Sequence, residues 1–338
     1  MHRPCIQLDY LIRLLMIYRL FLQSDDITFK RLHEASYVCG NIPRECFAAA
    51  VSPCALSGAK DRIRQEINQT KELSDAIINM MVDGDTAINH AFQIRPSSKN
   101  RSWNSCVVES VSDWAFSEMM AVLDERKAGY AYDFYCAIKA CRDSTTLAGK
   151  TFENRLHKFL KTSSRTGRTF TIESLDDRST TLDIHFTSNT KLFGDMKCFT
   201  GELALSVQNK TSCYLQPLSP VFPSFDSFLY QPDISRFSSL VGLQATTAAD
   251  HPINLKGLQD VQTSLKPEVS GMKDLRPTTE RKMIILFVVP DTLGVSFAKQ
   301  AIEGAKKDAN LKNAQTLWYG KTDQYILALS EEEVFNAK

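Results

Sequence analysis

Two periodicities divide this chain. In its first half, apolar positions recur at helical spacing. Leu11, Leu14, Leu15, Tyr18 and Phe21 fit an amphipathic helix over Leu8–Leu22 that packs on its own domain. Asp9, Arg13 and Arg19 make this stretch too charged to span a bilayer, and it has no uninterrupted apolar run with a small-residue cleavage site, as a signal peptide would. Ile27–Val38 continues the helical pattern, and Pro43 opens a short helix through Ala50. Ser57–Val82 reads as one long helix with Ile63, Ile67, Leu73, Ile77 and Met81 on its apolar side. Cys106–Val108 is the single strand candidate in this half. Ser112 is placed to cap a helix over Asp113–Arg126, and Gly129 separates it from Tyr130–Cys141. The aromatic residues of these two helices form a core.

The second half alternates. A helix from Leu147 to about Leu160 buries Phe152, Leu156, Phe159 and Leu160, and the polar segment Thr162–Arg168 follows it. Phe170–Ile172, Thr181–Phe186, Glu202–Val207 and Ser212–Leu215 read as strands. Met283–Pro290, an unbroken apolar run rich in β-branched residues, fits a strand covered on both faces. Ser296–Lys307 reads as a helix and Gln324–Leu329 as a closing strand. The densest stretch lies between, from Phe222 to Leu258. Its two strand-like runs are Pro223–Tyr230 and Ser239–Thr247. Alternation puts Phe225, Ser227 and Leu229 on one face and Asp226, Phe228 and Tyr230 on the other. In the second run Val241, Leu243 and Ala245 alternate with Gly242, Gln244 and Thr246. Asp250-His251-Pro252 ends that strand, and Ile253, Leu255, Leu258, Val261 and Leu265 carry a helical stripe. The expected organisation is a mostly helical domain over residues 1–146 and an α/β domain over 147–332.

Composition narrows the partners. A net charge of +1 over 338 residues excludes a global polybasic signal, so any polyanion site is a local patch. Nine cysteines, an odd number with no Cys-x-x-Cys pair, read as free thiols in a reducing compartment. Gly149-Lys150-Thr151 imitates the end of a phosphate loop, but the glycine required at position 144 is Ser144 and no apolar strand precedes it. The triplet reads as a loop before a helix, and no ATP site is expected.

The combination Phe-Pro-x-x-Asp-Ser (222–227), Leu-Gln-x-Thr (243–246) and His-Pro-Ile-x-x-x-Gly-Leu (251–258) resembles the C-terminal domain of Crinkler-type effector proteins. That domain is similar to the restriction-endonuclease-like, or PD-(D/E)xK, nuclease superfamily. The resemblance covers about Ala148 to Leu329 and implies a three-layer α/β/α domain with a mixed central sheet. The helical part resembles the segment that precedes this domain in fungal Crinkler-like proteins, where it follows an ATPase core; the chain therefore reads as a Crinkler-like protein that has lost that module, or as a fragment of one. In this comparison Asp226 stands at the metal-binding Asp, Gln244 at the second acidic ligand and Thr246 at the catalytic Lys.

Phosphodiester cleavage by such a fold uses a divalent cation, Mg²⁺ or Mn²⁺, held by oxygen ligands. Asp226 is the first candidate ligand, and Gln244 offers a neutral amide oxygen. Glu153 supplies a second carboxylate if its helix packs beside the sheet; otherwise it is an exposed helix charge. Lys256, twelve residues after Gln244, either replaces the missing lysine or is a solvated side chain. His251 either shuttles a proton or simply closes the strand. Arg155, Lys158, Lys161 and Arg165, with His157 and Arg168, fall within fourteen positions free of acidic residues and suit DNA phosphates, or else a solvated helix end. Two functions of different class follow: a metal-dependent DNA endonuclease, or a catalytically inactive nuclease fold that binds nucleic acid or protein partners. A non-functional remnant is a third reading. An intracellular location, cytoplasmic or nuclear, with no membrane partner, is expected.

Overall fold

The computed structural model describes residues 27–336 except 41, 83–87, 97–105, 128, 142–143, 219–223, 233, 235–236, 267, 269–270 and 305–310. The expected helix over Leu8–Leu22 lies outside the described residues. The chain divides into two units, Met1–Thr151 and Phe152–Lys338. Together they are a mixed α/β protein with a helical N-terminal region.

The first unit contains α1 (Phe29–Cys39), α2 (Pro43–Ala50), α3 (Pro53–Gln69), α4 (Leu73–Val82), α5 (Asp113–Glu125) and α6 (Tyr130–Ala140). Ser112 caps α5 as expected, accepting from the Ala115 N–H at 3.0 Å. The expected long helix over Ser57–Val82 is two helices, and the cause is Arg126. Its guanidinium donates to the carbonyls of Ile67, Thr70 and Lys71 at 3.2, 2.6 and 2.7 Å, taking up acceptors that a continuous helix would need for itself. β2 (Cys106–Ser110) includes the expected strand, and its antiparallel partner β1 (Phe92–Pro96) was not legible in the sequence.

The second unit opens on α7 (Thr145–Arg165), which begins in the first. Gly149-Lys150-Thr151 lies inside this helix rather than in a loop, and the buried Thr151 hydroxyl donates to the Leu147 carbonyl. The sheet that follows uses β3 (Thr169–Ser174), β4 (Thr181–His185), β5 (Thr190–Phe193), β6 (Cys213–Pro217), β7 (Ser227–Tyr230), β8 (Phe237–Ala245), β10 (Lys282–Pro290) and β12 (Thr322–Leu329). Their order is β4-β3-β12-β10-β8-β7-β6-β5. β8, β10 and β12 run parallel at the centre, and β7 is antiparallel to β8. β10 is buried along nearly its whole length, as its unbroken apolar run demands.

Helices cover both faces of this sheet. On one, α8 (Met196–Gln208), α9 (Leu255–Ser264) and α11 (Leu311–Lys321) close a core around Phe199, Leu203, Phe225, Phe228, Phe287 and Trp318. On the other, α7 packs through Phe159 on Phe170 and through His157 on Tyr214. The expected strand Glu202–Val207 is part of α8. Leu203, Leu205 and Val207 imitate strand alternation, but Phe199, Leu203 and Ser206 are the buried positions and Leu205 is 55% exposed. The expected helix over Ser296–Lys307 is extended chain in its described part. It carries the short β11 (Ile302–Glu303), parallel to β9 (Ile253–Asn254), and the helix comes later as α11.

Gly242 on β8 is a contact point in this core. A Cβ there would come within 2.3 Å of the Phe225 ring and 2.9 Å of the Met283 methyl. Gly242→Ala should therefore destabilise the protein by about 1–3 kcal/mol through overpacking. Gly201, exposed in the middle of α8 with open space around it, should respond in the opposite sense, Gly201→Ala stabilising by about 1 kcal/mol. Urea titration of the two variants reads both signs, and equal effects would contradict this packing.

Candidate functional site

The helix α7 presents three ionisable side chains to the sheet at helical spacing: Glu153, His157 and Lys161, each four residues from the next. They follow the same face as Phe152, Leu156, Phe159 and Leu160, so burying that apolar stripe brings them in as well. The strands opposite answer with polar groups. His157 Nδ1 lies 2.6 Å from Tyr214 Oη, and that hydroxyl lies 2.8 Å from Ser227 Oγ. Lys161 Nζ donates to Gln216 Oε1 at 2.9 Å. Register explains the match: Tyr214 pairs with Leu229 and Ser227 with Leu243, so Tyr214, Gln216 and Ser227 all point to the α7 side.

Asp226 stands at the head of β7. Alternation would put it on the face of Phe228 and Tyr230, but the strand begins only at Ser227. Ser224, with φ of 70°, turns the chain just before, and its hydroxyl donates to the Asn254 carbonyl. The result shifts parity: Phe225 joins Phe228 in the core, their ring centroids 5.0 Å apart, and the expected grouping of Phe225 with Ser227 and Leu229 does not form. Asp226 Oδ2 accepts from the Ala245 N–H at 2.6 Å. Its carboxylate therefore sits at the C-terminal end of β8.

Electrostatics tie these groups together. Burial raises the Asp226 pKa, and the negative charge of Glu153 raises it further, to about 8, against the Ala245 hydrogen bond and the nearby His157. Asp226 retains some solvent exposure, which softens the shift without changing its direction. Burial pushes His157 down to about 4, so its ring is neutral near neutral pH. With its proton on Nε2, a neutral ring would face Glu153 Oε1, 3.8 Å away, and accept a hydrogen bond from the Tyr214 hydroxyl at Nδ1. Burial also lowers the Lys161 amine and raises the Tyr214 phenol.

The other candidates are placed elsewhere. Gln244 shares its face with Gly242, on the far side of the sheet from α7; it is buried, and its Oε1 accepts no hydrogen bond among the described residues. Thr246 and His251 hold each other, Oγ1 to Nδ1 at 3.2 Å, in a loop that Gln300 braces by accepting from the His251 N–H. Burial lowers the His251 pKa. Lys256 is engaged with Asp260 at 3.0 Å on the exposed side of α9, so it does not join Asp226. The basic run also divides. Lys158 and Arg165 are exposed, whereas Arg155 is buried with its guanidinium 5.9 Å from the Phe335 ring centre, and Arg168 lies over Phe170 and pairs with Glu333. The expected phosphate-facing stripe is therefore shorter than the sequence suggested.

The sequence placed His157 only in the basic run and Tyr214 only in the core, and it gave Gln216 and Ser227 no part in the site. The available signal was the four-residue spacing from Glu153 through His157 to Lys161, polar positions running beside an apolar stripe. Among the described residues, no group of three or more His, Cys, Asp or Glu side chains is arranged to hold a metal ion, and no helix is long and apolar enough to cross a membrane. No protein-family model, curated protein or solved structure matches this chain.

The raised Asp226 pKa has a signed consequence. The native state holds this proton more tightly than the unfolded chain, so Asp226 lowers stability as pH rises from the ordinary carboxylate range to about 8. His157 acts in the other direction, but only below its unfolded pKa near 6.5. Between pH 7 and 8.5 the wild type should lose stability relative to Asp226→Asn, a difference readable by urea titration across that window. Parallel pH profiles would place the Asp226 carboxylate in a water-like environment.

Proposed function

We propose that the second unit is a metal-dependent, nuclease-type phosphodiesterase acting on DNA, with Glu153 and Asp226 holding the cation. One observation carries this reading: two carboxylates from separate elements, Glu153 on α7 and Asp226 at the head of β7, flank the chain of contacts from His157 through Tyr214 to Ser227, and the charge of Glu153 adds to burial in raising the Asp226 pKa. Such a pair is relieved by a cation as well as by a proton. Mg²⁺ or Mn²⁺ fits the residues present, because Mg²⁺ in particular commonly takes one or two carboxylates and keeps several waters. Bound there, the cation would polarise a phosphoryl oxygen and lower the pKa of a coordinated water.

The chain's own groups have separable parts in this scheme. Asp226 must release its proton to bind, so binding strengthens as pH rises. Neutral His157, fixed by Tyr214 and Ser227, orients Glu153. Lys161, half-buried two helical turns from Glu153, is placed to offset negative charge on a phosphate, the part expected of Lys256. Lys158 and Arg165 add exposed positive charge on the same helix.

A second reading has its own support. Gln244 faces away from the pair, Thr246 is engaged with a loop, and Lys256 is engaged with Asp260, so all three positions compared with strand and helix catalytic groups are spent elsewhere. That arrangement suits a nuclease-like fold that binds nucleic acid or protein without cutting.

Plasmid cleavage in Mn²⁺ separates the two. The wild type should cut, Asp226→Asn and Lys161→Met should each lose on the order of a hundredfold or more, as for removal of a transition-state contact, and Lys256→Ala should cut like the wild type. DNA binding without cleavage by the wild type would sink the enzyme and leave the binding module.

A further inference from the structure

A second concave site lies at the other end of the sheet. The 3₁₀ turn Met272–Leu275 is fastened to the start of β8, where Ser238 Oγ donates to the Leu275 carbonyl at 2.7 Å. Asp226, by contrast, is fastened to Ala245 at the end of that strand. Seven residues separate Ser238 from Ala245, roughly 23 Å along a strand, so the two sites do not share a phosphate.

This open concavity has a volume of about 570 Å³, within the range of sites for small organic ligands. Lys273, Arg276, Arg281 and Lys321 converge on it from the turn, the loop before β10 and the end of α11, against the single carboxylate of Asp274. That carboxylate is 78% exposed and 3.5 Å from Arg281, so it offsets little of the charge. The Arg281 Nε–H is sealed from solvent and has no acceptor among the described residues. The guanidinium of Arg276 is half-buried and makes no ion pair or hydrogen bond among them. Lys321 lies over the Trp318 ring, 5.7 Å from its centre. Four cations line one concavity against the single carboxylate of Asp274, which leaves it positively charged and suited to an anion. Leu317, half exposed, adds an apolar surface beside the charges, with the buried Pro277 at its edge.

We propose that this cavity binds a phosphate ester of mononucleotide size, its phosphate held by Arg276 and Arg281 and its apolar body resting on Leu317 beside Pro277. The guanidinium fork suits phosphate oxygens better than a lysine cluster alone. A concavity whose charges come from three segments also suits a small ligand better than an extended strand, which calls for a continuous track of charge.

Isothermal titration of the full chain with AMP at fixed ionic strength tests this. The wild type should bind AMP at one saturable site. Arg281→Gln should weaken binding by roughly tenfold or more, as expected for loss of a charge-assisted contact. Arg276→Gln should do likewise, and since its side chain makes no hydrogen bond or ion pair among the described residues, an unchanged urea midpoint would separate lost binding from lost folding. Lys256→Gln, on the exposed side of α9, should bind as the wild type does. Absence of saturable AMP binding, or wild-type affinity in either arginine variant, would overturn the proposal. So would displacement of AMP by a single-stranded oligodeoxynucleotide lacking terminal phosphates, which would make the site part of a nucleic-acid track instead.

Discussion

Helix α7 cannot bury its apolar stripe without bringing charge along. Phe152, Leu156, Phe159 and Leu160 need the sheet, and Glu153, His157 and Lys161 share the approach. Buried polar groups demand partners or a change of protonation. Much of the polar structure of the second unit answers that demand. Tyr214 and Ser227 satisfy the imidazole, Gln216 takes the amine, and the neutral state of His157 avoids a buried cation. At the acidic end, the charge of Glu153 adds to burial in raising the Asp226 pKa. Under the proposed function, that repulsion is what a cation would relieve.

The same constraint separates this site from the arrangement that its sequence motifs suggested. In the Leu-Gln-x-Thr segment, a strand's two faces are fixed by parity. Gly242 must face the aromatic core, because nothing larger fits against Phe225 and Met283, and Gln244 follows it to the same side. Asp226 escapes parity because it precedes the strand. A ligand set drawn from both residues would have to reach around the sheet, and the carboxylate of Glu153 comes instead from the helix.

Much of the architecture was readable from residue order. β10 announces itself as an unbroken apolar run, α5 by its Ser112 cap, and β8 by its alternation. The errors share a cause: tertiary contacts overruled local pattern. Arg126 divides a helix that periodicity would continue, because it draws away carbonyls from 67 to 71. Leu203, Leu205 and Val207 match a strand until Phe199 and Ser206 are counted with them. Of the candidate site, the meeting of Glu153 and Asp226 could be anticipated only by assuming that α7 lies on the sheet. The roles of Tyr214, Gln216 and Ser227 could not, since they depend on the register of β6 against β7. Lys256 and His251 looked chemical because lysine and histidine can be chemical; an i,i+4 ion pair and a loop contact absorb them.

The central claim is that Asp226 holds a proton which a divalent cation displaces. Calorimetric titration of Mn²⁺ at pH 7, repeated in two buffers of different ionisation enthalpy, counts the protons released for each cation bound. The account predicts binding with release of an appreciable fraction of a proton, and loss of that release in Asp226→Asn. Binding with no proton release, or release that persists unchanged in Asp226→Asn, would contradict it.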